Sequence, residues 1–224
     1  MRYQVVISHN QSRFVDRFSD IFGNERIVFV FDAMDEYDIR AMERNHNVNI
    51  VTVRTPGNRS ANRNAGLAYV MSHFAVSDDD IVEFFDGDRF PVCYSPRELG
   101  DIDVLLYPCE NDKRFEKLKP GPVSTRWVSN PFYSCGFAIK VSAIRKIEAL
   151  NGGKLFKEEF REWGCEDQYL GMQCHLSGLN VVLDSRTVLA GTVGGDELSH
   201  PNYRATLQQY VDLIRANGMF PSNK

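Results

Sequence analysis

Two aspartates, Asp86 and Asp88, follow the apolar run at residues 81–85 and are separated by Gly87. In an extended segment, side chains two residues apart point to the same side, and carboxylates held that close repel each other unless a cation lies between them. Mg²⁺ and Mn²⁺ prefer oxygen ligands and share them with substrate phosphates. The pair therefore predicts a divalent cation site, at which Gly87 lets a ligand approach the backbone; an exposed acidic turn is the alternative.

A second polar segment, residues 58–66, brings two arginines and three asparagines to the start of a predicted helix, with Ser60 as the expected N-cap. The N-terminus of a helix offers free N–H groups and a partial positive charge, which suit a phosphate. Arg63 would add a charge-assisted donor. The segment therefore favours an anion site, and a capped surface helix is the alternative.

A third constellation places Glu166 and Asp167 at another predicted helix start, directly after Trp163, Gly164 and Cys165. Acidic residues are favourable in the first turn of any helix. Two carboxylates beside a tryptophan could equally be a general base and a hydrogen-bond acceptor for a substrate. The spacing leaves both interpretations open.

The composition limits the kind of protein. A hydrophobic fraction of 43% and a charged fraction of 25% are typical of a globular protein and exclude a disordered tail, a collagen-like repeat and a coiled coil. The net charge of −4 gives no basic footprint for nucleic acid. No apolar run approaches the ~20 residues of a membrane span, and Met1 leads almost directly into a predicted strand rather than a signal peptide. We therefore expect a cytoplasmic protein without nucleic-acid partners, or one module of a longer polypeptide; five scattered cysteines without a C-x-x-C pair predict reduced thiols.

Short apolar runs alternate with helical patterns, which predicts an α/β fold with a mixed, mainly parallel sheet flanked by helices. The predicted strands cover residues 4–8, 26–31, 49–53, 80–85, 103–107, 135–140 and 180–184. The predicted helices cover residues 14–22, 60–74, 142–150, 167–176 and 202–217. In such sheets ligands bind beyond the carboxyl ends of the strands. Polar residues cluster at those ends, namely Ser8, His9, Asn10, Asp32, Arg54, Asp86 and Asp88.

Four motifs, in this order along the chain, resemble those of GT-A-fold glycosyltransferases, closest to the family-2-like group of inverting enzymes. They are the first strand QVVISHN, the Asn62-Arg63-Asn64-x-Gly66 helix start, the D-x-D motif at 86–88 and W-G-x-E-D at 163–167. The resemblance implies a GT-A (Rossmann-like) fold in a single domain over residues 1–224. Residues 1–108 would form the nucleotide-sugar-binding half, and residues 109–224 the half that holds the acceptor and the catalytic base.

The resemblance also implies a nucleoside diphosphate sugar as donor, with UDP as the first expectation, and Mn²⁺ or Mg²⁺ as the cofactor. Asp86 and Asp88 would hold the metal and the diphosphate, with His200 as a third metal contact. Asp32 would contact the nucleotide base, for which Asp35 is a second candidate, and Arg63 would lie near the diphosphate or the donor sugar. The full set of expected donor-binding residues is Ser8, Asn10, Asp32, Arg63, Asp86 and Gly87.

On the acceptor side, the resemblance makes Asp167 the catalytic base and Glu166, Trp163 and Tyr133 the contacts to a glycan or another hydroxyl acceptor. The attacking hydroxyl must lose its proton, and a carboxylate can accept it. Related retaining enzymes often carry Asn where this chain has Asp167, and an amide cannot act as that base. Inversion is therefore favoured, and a retaining GT-A enzyme is the alternative.

Three further alternatives differ in their chemistry. A haloacid-dehalogenase-like phosphohydrolase would use Asp86 of FFDGD as its nucleophile, but that nucleophile belongs near the N-terminus. A sugar-nucleotide pyrophosphorylase on a similar fold would require a glycine-rich loop after the first strand, and residues 8–13 contain no glycine. A non-catalytic domain that only binds sugar nucleotides would keep the site without turnover.

Overall fold

The computed structural model describes residues 1–8, 14–32, 38–42, 48–53, 57–110, 119–124, 135–160, 165–190 and 203–216. The strands are β1 (Arg2–Ser8), β2 (Ile27–Phe31), β3 (Asn49–Thr52), β4 (Ile81–Asp86), β5 (Pro91–Cys93), β6 (Val104–Leu106), β7 (Gly121–Pro122), β8 (Gly136–Lys140), β9 (Val181–Leu183) and β10 (Val188–Leu189). The helices are α1 (Val15–Phe22), α2 (Arg59–His73), α3 (Val141–Leu150), α4 (Glu166–Leu176) and α5 (Tyr203–Ala216). Residues 38–42 are also helical.

Eight strands form one sheet in the order β3-β2-β1-β4-β8-β6-β9-β7. The first four are parallel neighbours, β8 runs antiparallel to both β4 and β6, and β9 is again parallel to β6. This confirms the predicted mixed, mainly parallel α/β sheet. The separate β5–β10 pair was not predicted, because strands of two or three residues carry too little periodicity to be recognised.

The central strands are buried on both faces, which is why they appear in the sequence as continuous apolar runs. All five residues of β2 are buried, as are the first five of β4 and the middle five of β1. Aromatic rings fill the space next to β4, where Phe84 and Phe85 stack against Phe137 and Tyr107. Burial of this size holds the strand ends, and the polar residues that follow them, in fixed positions.

Helix α2 lies unusually close to the sheet because of Gly66. A Cβ atom at this position would lie 2.4 Å from Cγ1 of Val5 and 2.8 Å from Cγ2 of Val30. Any side chain there would push the helix away from β1 and β2. The glycine of the N-R-N-x-G motif therefore fixes the distance between α2 and the sheet.

Helices α1 to α5 begin and end within one residue of the predicted bounds, but the predicted N-cap of α2 is wrong. Its N-cap is Asn58, whose side chain accepts a hydrogen bond from the N–H of Ala61 at 2.9 Å. The prediction that Ser60 is the N-cap is wrong, because Ser60 lies buried inside the first turn. Both residue types are good caps, so the sequence alone could not choose between them. Within the described ranges, no helix combines the length and apolar content that crossing a bilayer requires.

A second, smaller apolar cluster packs α4 against α5. Its members are Phe160, Cys165, Tyr169, Met172, Tyr210 and Ile214. The hydroxyl of Tyr210 also donates to the carbonyl of Gln168 at 3.4 Å. These contacts hold the start of α4, and with it Glu166 and Asp167, in one orientation.

Candidate functional site

Polar residues end three adjacent parallel strands at one edge of the sheet. Ser8 ends β1, Asp32 follows β2 and Asp86 ends β4. Ser8 pairs with Phe31, and Ile7 pairs with Asp86, so the three ends lie at the same level. The structure therefore brings these predicted site residues to one edge, as expected from their places in the sequence.

Arg63 of α2 joins two parts of this edge. Its Nη2 donates to Oδ1 of Asp86 at 2.8 Å, and its Nη1 donates to Oε1 of Glu166 at 3.3 Å. Arg63 is fully buried, with 0% exposure, and its guanidinium lies 5.3 Å from the centre of the Phe156 ring. We refer to Arg63, Asp86 and Glu166 as the Arg63 cluster. The segment predicted to bind an anion through Arg63 thus binds two carboxylates of the chain itself.

The residues on either side of Arg63 hold two other segments. Nδ2 of Asn62 donates to Oδ2 of Asp32 at 2.9 Å, and the same oxygen accepts the N–H of Gly57 at 2.9 Å. Asn64 is bonded to the segment at residues 156–158 through both its amide nitrogen and its oxygen. Three consecutive residues of α2 therefore tie together the end of β2, the end of β4 with the start of α4, and the chain that leads to α4.

Glu166 and Asp167 differ in their surroundings although they are adjacent. Glu166 is 3% exposed, and its Oε2 has no hydrogen-bond partner within the described part of the chain. Asp167 is half-buried, and its Oδ1 accepts the N–H of Gln168 at 2.8 Å. Glu166 is thus enclosed, with one oxygen unpartnered among the described residues, whereas Asp167 is half-buried.

The backbone is strained just before these two acids. Cys165 has a φ of +68°, and among the described residues it is the only one other than glycine with a left-handed backbone. This conformation costs about 1–3 kcal/mol for such a residue and occurs most often at functional sites. The turn lets α4 begin at Glu166, with the N–H of Tyr169 donating to the carbonyl of Cys165 at 2.9 Å.

Arg59, one turn before Arg63, lies in the field of the same acids. Burial lowers the pKa of Arg59, but the carboxylates of Asp86, Glu166 and Asp167 outweigh it and raise the pKa above its usual value. Two guanidinium groups and three carboxylates, all among the described residues, therefore lie close together, and these five groups carry one net negative charge. Such a charge favours a cation. Arg59 was not assigned a role from the sequence, and its spacing of four residues from Arg63 is the signal that it shares the same helix face.

One expectation about the D-x-D segment needs correction. Asp88 does not lie in an extended segment beside Asp86, because residues 86–89 form a turn closed by the N–H of Arg89 and the carbonyl of Asp86 at 2.8 Å. The glycine at 87 has a packing reason, since a Cβ there would lie 3.0 Å from Cβ of Ser8 and 3.1 Å from the carbonyl oxygen of Ile7. A side chain at this position would face β1, and the role of Gly87 in ligand approach stays a prediction.

The donor set at this turn still suits a hard divalent cation. Asp86 and Asp88 offer carboxylate oxygens, with side chains that are 14% and 50% exposed. Across the described ranges, no group of three or more His, Cys, Asp or Glu side chains is placed to hold a metal. Mg²⁺ and Mn²⁺ are commonly bound by one or two carboxylates together with water and substrate phosphates, so two ligands from the chain fit that mode.

Several predicted site residues lie outside the described residues. They are Asn10, Asp35, Tyr133, Trp163 and His200. Their roles stay predictions. Among the described residues, the sequence interpretation missed the part played by Asn64 and Phe156, because nothing in the sequence indicates that the segment at 156–158 returns to α2.

Two grooves are lined by the segment at 150–159 together with parts of α2, α3 and α4. One, of about 570 Å³, is lined by Phe156 and Tyr169 among others, and the second, of about 620 Å³, by α2 and α3. Both include Lys154 and Glu158, which form an ion pair with each other at 2.6 Å. Neither groove is lined by Asp86 or Arg63, so we place the candidate site at the strand ends, where the carboxylates converge.

No protein-family model matches this chain, and no curated protein matches it. Several solved structures do match this chain. The crystal structure of GalNAc-T7 with UDP, GalNAc and Mn²⁺ matches 95% of this chain with a TM-score of 0.61 at 12% identity. The chain has a GT-A-like fold. It spans about half of the GalNAc-T7 chain, 47%.

Two nucleotide-handling enzymes share the fold. A nucleoside-diphosphate-sugar pyrophosphorylase from Vibrio cholerae RC9 matches with a TM-score of 0.54 at 15% identity, over 84% of this chain and 92% of its own. The inositol-1-phosphate CTP transferase from T. maritima matches with a TM-score of 0.51 at 11% identity, over 92% of this chain and 96% of its own. At these identities the likeness shows the fold, and the GT-A-like fold predicted from the four motifs is confirmed.

Proposed function

We propose that this chain is a metal-dependent, inverting glycosyltransferase that moves a sugar from a nucleoside diphosphate sugar, first of all a UDP-sugar, to a hydroxyl of a glycan acceptor. The observation that carries the proposal is the Arg63 cluster. A buried guanidinium joins the acid that ends β4 to the first acid of α4, Glu166, at the sheet edge where ligands of such folds bind. The described residues thus bring together the D-x-D and E-D motifs of the resemblance.

The solved structures support the coarser part of this proposal. The GalNAc-T7 structure contains UDP, GalNAc and Mn²⁺, and the other two proteins are nucleotidyltransferase-type enzymes by their names. The shared fold therefore favours a transferase that uses nucleotides or nucleotide sugars. We infer the inverting mechanism, the kind of acceptor and the transfer of a hexose from the residues of this chain and from the resemblance of its motifs.

In the proposed reaction the acceptor oxygen forms a bond to the anomeric carbon as the bond from that carbon to the diphosphate oxygen breaks. Asp167 takes the proton of the attacking hydroxyl, for which its half-exposed carboxylate is suited. Glu166 accepts a hydrogen bond from the acceptor sugar through Oε2, the oxygen that no described residue contacts. A single displacement of this kind inverts the anomeric configuration.

On the donor side, Asp32 contacts the nucleotide base, and Ser8 and Gly87 line the approach to the diphosphate at the ends of β1 and β4. A divalent cation held by Asp86 and Asp88 would offset the charge that grows on the departing nucleoside diphosphate. Arg63 holds the Asp86 carboxylate in place for this role. Its effect on the diphosphate would therefore be indirect, through Asp86 and the cation. The roles of Asn10, His200, Trp163 and Tyr133 remain those implied by the resemblance.

The direct test is a transfer and donor-hydrolysis assay with UDP-sugars, with and without Mn²⁺, on the wild type and Asp167→Asn. Loss of a general base lowers the rate about 10²–10⁴-fold. We expect Asp167→Asn to lose that much activity while its unfolding curve stays unchanged. Asp79→Asn, at an exposed acid outside the site, is the matched control and should keep full activity.

Two results would contradict parts of the proposal separately. Full activity of Asp167→Asn would refute the assigned base. Retention of the donor's anomeric configuration, read from the coupling constants of the product by NMR, would refute inversion and favour a retaining enzyme.

Nucleotidyl transfer is the second candidate, because two of the matching structures belong to that class and are spanned almost completely by this fold. In that reaction a nucleoside triphosphate and a sugar 1-phosphate give a nucleoside diphosphate sugar and pyrophosphate. The absence of glycine from residues 8–13 argues against it. A coupled pyrophosphate assay separates the two reactions.

A further inference from the structure

Arg63 contacts the two sides of the candidate site with two different nitrogens of one planar group. Nη2 donates to Asp86 at 2.8 Å, whereas Nη1 donates to Glu166 at the longer distance of 3.3 Å. Because the guanidinium is rigid and planar, a small movement that shortens one contact lengthens the other. The guanidinium is therefore shared between two competing acceptors.

Burial makes this sharing energetically important. Arg63 has 0% exposure and Glu166 has 3%, so water does not screen the charges. The Phe156 ring, 5.3 Å from the guanidinium, borders its space on another side. A change of charge at one carboxylate must therefore be felt by Arg63 and passed to the other.

Glu166 has unused capacity to respond. Its Oε2 is buried and has no hydrogen-bond partner among the residues that the structure describes. A firmer hold by Arg63 on Oε1 would fix the direction in which Oε2 points. The orientation of this second oxygen thus depends on how strongly Asp86 competes for Arg63.

We propose that Arg63 is a positioning residue that couples the two sides of the site, so that a divalent cation and nucleoside diphosphate bound at Asp86 strengthen the pairing of Arg63 with Glu166. The cation competes with Arg63 for the Asp86 carboxylate and repels the guanidinium, which moves toward Glu166. Oε2 of Glu166 is then held in place for an acceptor hydroxyl. This inference rests on the proposed function, because it requires the donor to bind at Asp86.

Coupling is reciprocal, so the charge of Glu166 must contribute to donor binding. Without that charge, the ion pair between Arg63 and Glu166 is lost, so Arg63 pairs more strongly with Asp86 and competes more with the cation. The probe is Mn²⁺ with whichever of UDP, GDP, ADP and CDP gives the largest thermal shift with the wild type. Its dissociation constant is measured by isothermal titration on the wild type, Glu166→Gln, Arg63→Lys and the double variant.

We expect Glu166→Gln to weaken binding about 5-fold or more, the lower range of typical coupling between sites. In the Arg63→Lys background the same substitution should change the dissociation constant less than about 2-fold, because a lysine lacks the fork that bridges both acids. Glu148→Gln on α3 removes a half-buried acid elsewhere and should leave binding unchanged. Unfolding curves of all variants establish that each is folded at the titration temperature.

The outcomes separate the inference from the proposed function. Failure of the wild type to bind any of the four probes refutes both. Binding by the wild type with an unchanged constant in Glu166→Gln refutes the coupling alone. An equal loss in both backgrounds means that the charge acts through space and not through Arg63, which also refutes it.

Discussion

Strand β4 carries two acids that belong to two different charge clusters. Glu83, in the middle of the strand, accepts four hydrogen bonds, and each of its oxygens accepts two. The donors are Arg2 at 2.8 Å and Tyr107 at 2.5 Å to Oε1, with Gln4 at 2.9 Å and Tyr94 at 2.7 Å to Oε2. We refer to these five residues as the Glu83 cluster.

The Arg63 cluster at the end of the same strand is built differently. Arg63 serves two carboxylates, and Glu166 keeps one oxygen without a partner among the described residues. Buried polar groups are normally satisfied, and an exception calls for an explanation. Both clusters bury charged groups, and they differ in whether every carboxylate oxygen has a hydrogen-bond partner among the described residues. The Glu83 cluster holds the sheet, whereas the Arg63 cluster keeps one acceptor oxygen that no described residue uses.

The largest expected effect is a difference in the free energy of unfolding between Glu83→Gln and Glu166→Gln. At Glu83 an amide nitrogen must face donors whichever way the side chain turns, so we expect Glu83→Gln to lower the free energy of unfolding by about 3–5 kcal/mol. At Glu166 the amide nitrogen can take the place of Oε2, so Glu166→Gln should lower it by only about 1–2 kcal/mol. Urea denaturation of both variants measures the difference.

Equal losses of unfolding free energy in the two variants would contradict the predicted difference between the two clusters. So would a weaker effect on donor binding at Glu166 than at Glu83, because the Glu83 cluster is assigned no contact with the donor. Isothermal titration of the folded variants with the nucleotide and Mn²⁺ provides this second reading.

The next largest effect is expected at Gly66. A methyl group there would lie within 2.8 Å of both Val5 and Val30, so α2 must move outward, and overpacking of this kind costs about 1–3 kcal/mol. Because α2 carries Arg63, Gly66→Ala should also weaken donor binding. Ser72→Ala, on the exposed face of the same helix, should change stability by less than about 0.5 kcal/mol. Unchanged stability of Gly66→Ala would show that the close approach is not required.

The smallest effect is a pH dependence of the Glu83 cluster. Burial first, and then the charge of Glu83, raises the pKa of Tyr107 well above its usual value of 10.0. Above pH 10 the unfolded chain ionises this phenol while the folded chain keeps it protonated, so the folded state binds more protons and stability falls as the pH rises. One such group contributes a slope of about 1.4 kcal/mol per pH unit.

Removing the phenol isolates this contribution from those of the other tyrosines. Tyr107→Phe should be less stable than the wild type at pH 8, because a buried hydrogen bond to a charge is lost, and its stability should fall less steeply between pH 10 and 11. Urea denaturation across this range measures the slope. Parallel slopes for the two proteins would mean that Tyr107 ionises normally in the folded state.

Much of the fold could be predicted because it depends on patterns that are local in the sequence. The runs that form β1, β2 and β4 are mainly apolar, and the helices have clear faces or stop signals. The placement of Ser8, Asp32 and Asp86 at one edge followed from the parallel order of the strands. The N-cap at Asn58 could not be predicted, since two good capping residues stand two positions apart.

The interior of the site could not be predicted, because it depends on contacts between distant segments. Arg63 meets Asp86 23 residues away and Glu166 103 residues away. A sequence shows that an arginine is present but not which acids will enclose it after packing. For the same reason the sequence did not reveal that Gly66 and Gly87 both lie in close contact with β1, although Gly66 was assigned to a motif and Gly87 to ligand approach.

The most direct test of the account is a crystal soaked with Mn²⁺ and the nucleoside diphosphate that binds best, with anomalous scattering measured for manganese. We predict an anomalous peak within coordination distance of the Asp86 carboxylate at the end of β4, with the diphosphate on its other side. A nucleotide bound elsewhere, or a manganese peak away from this strand end, would contradict the account.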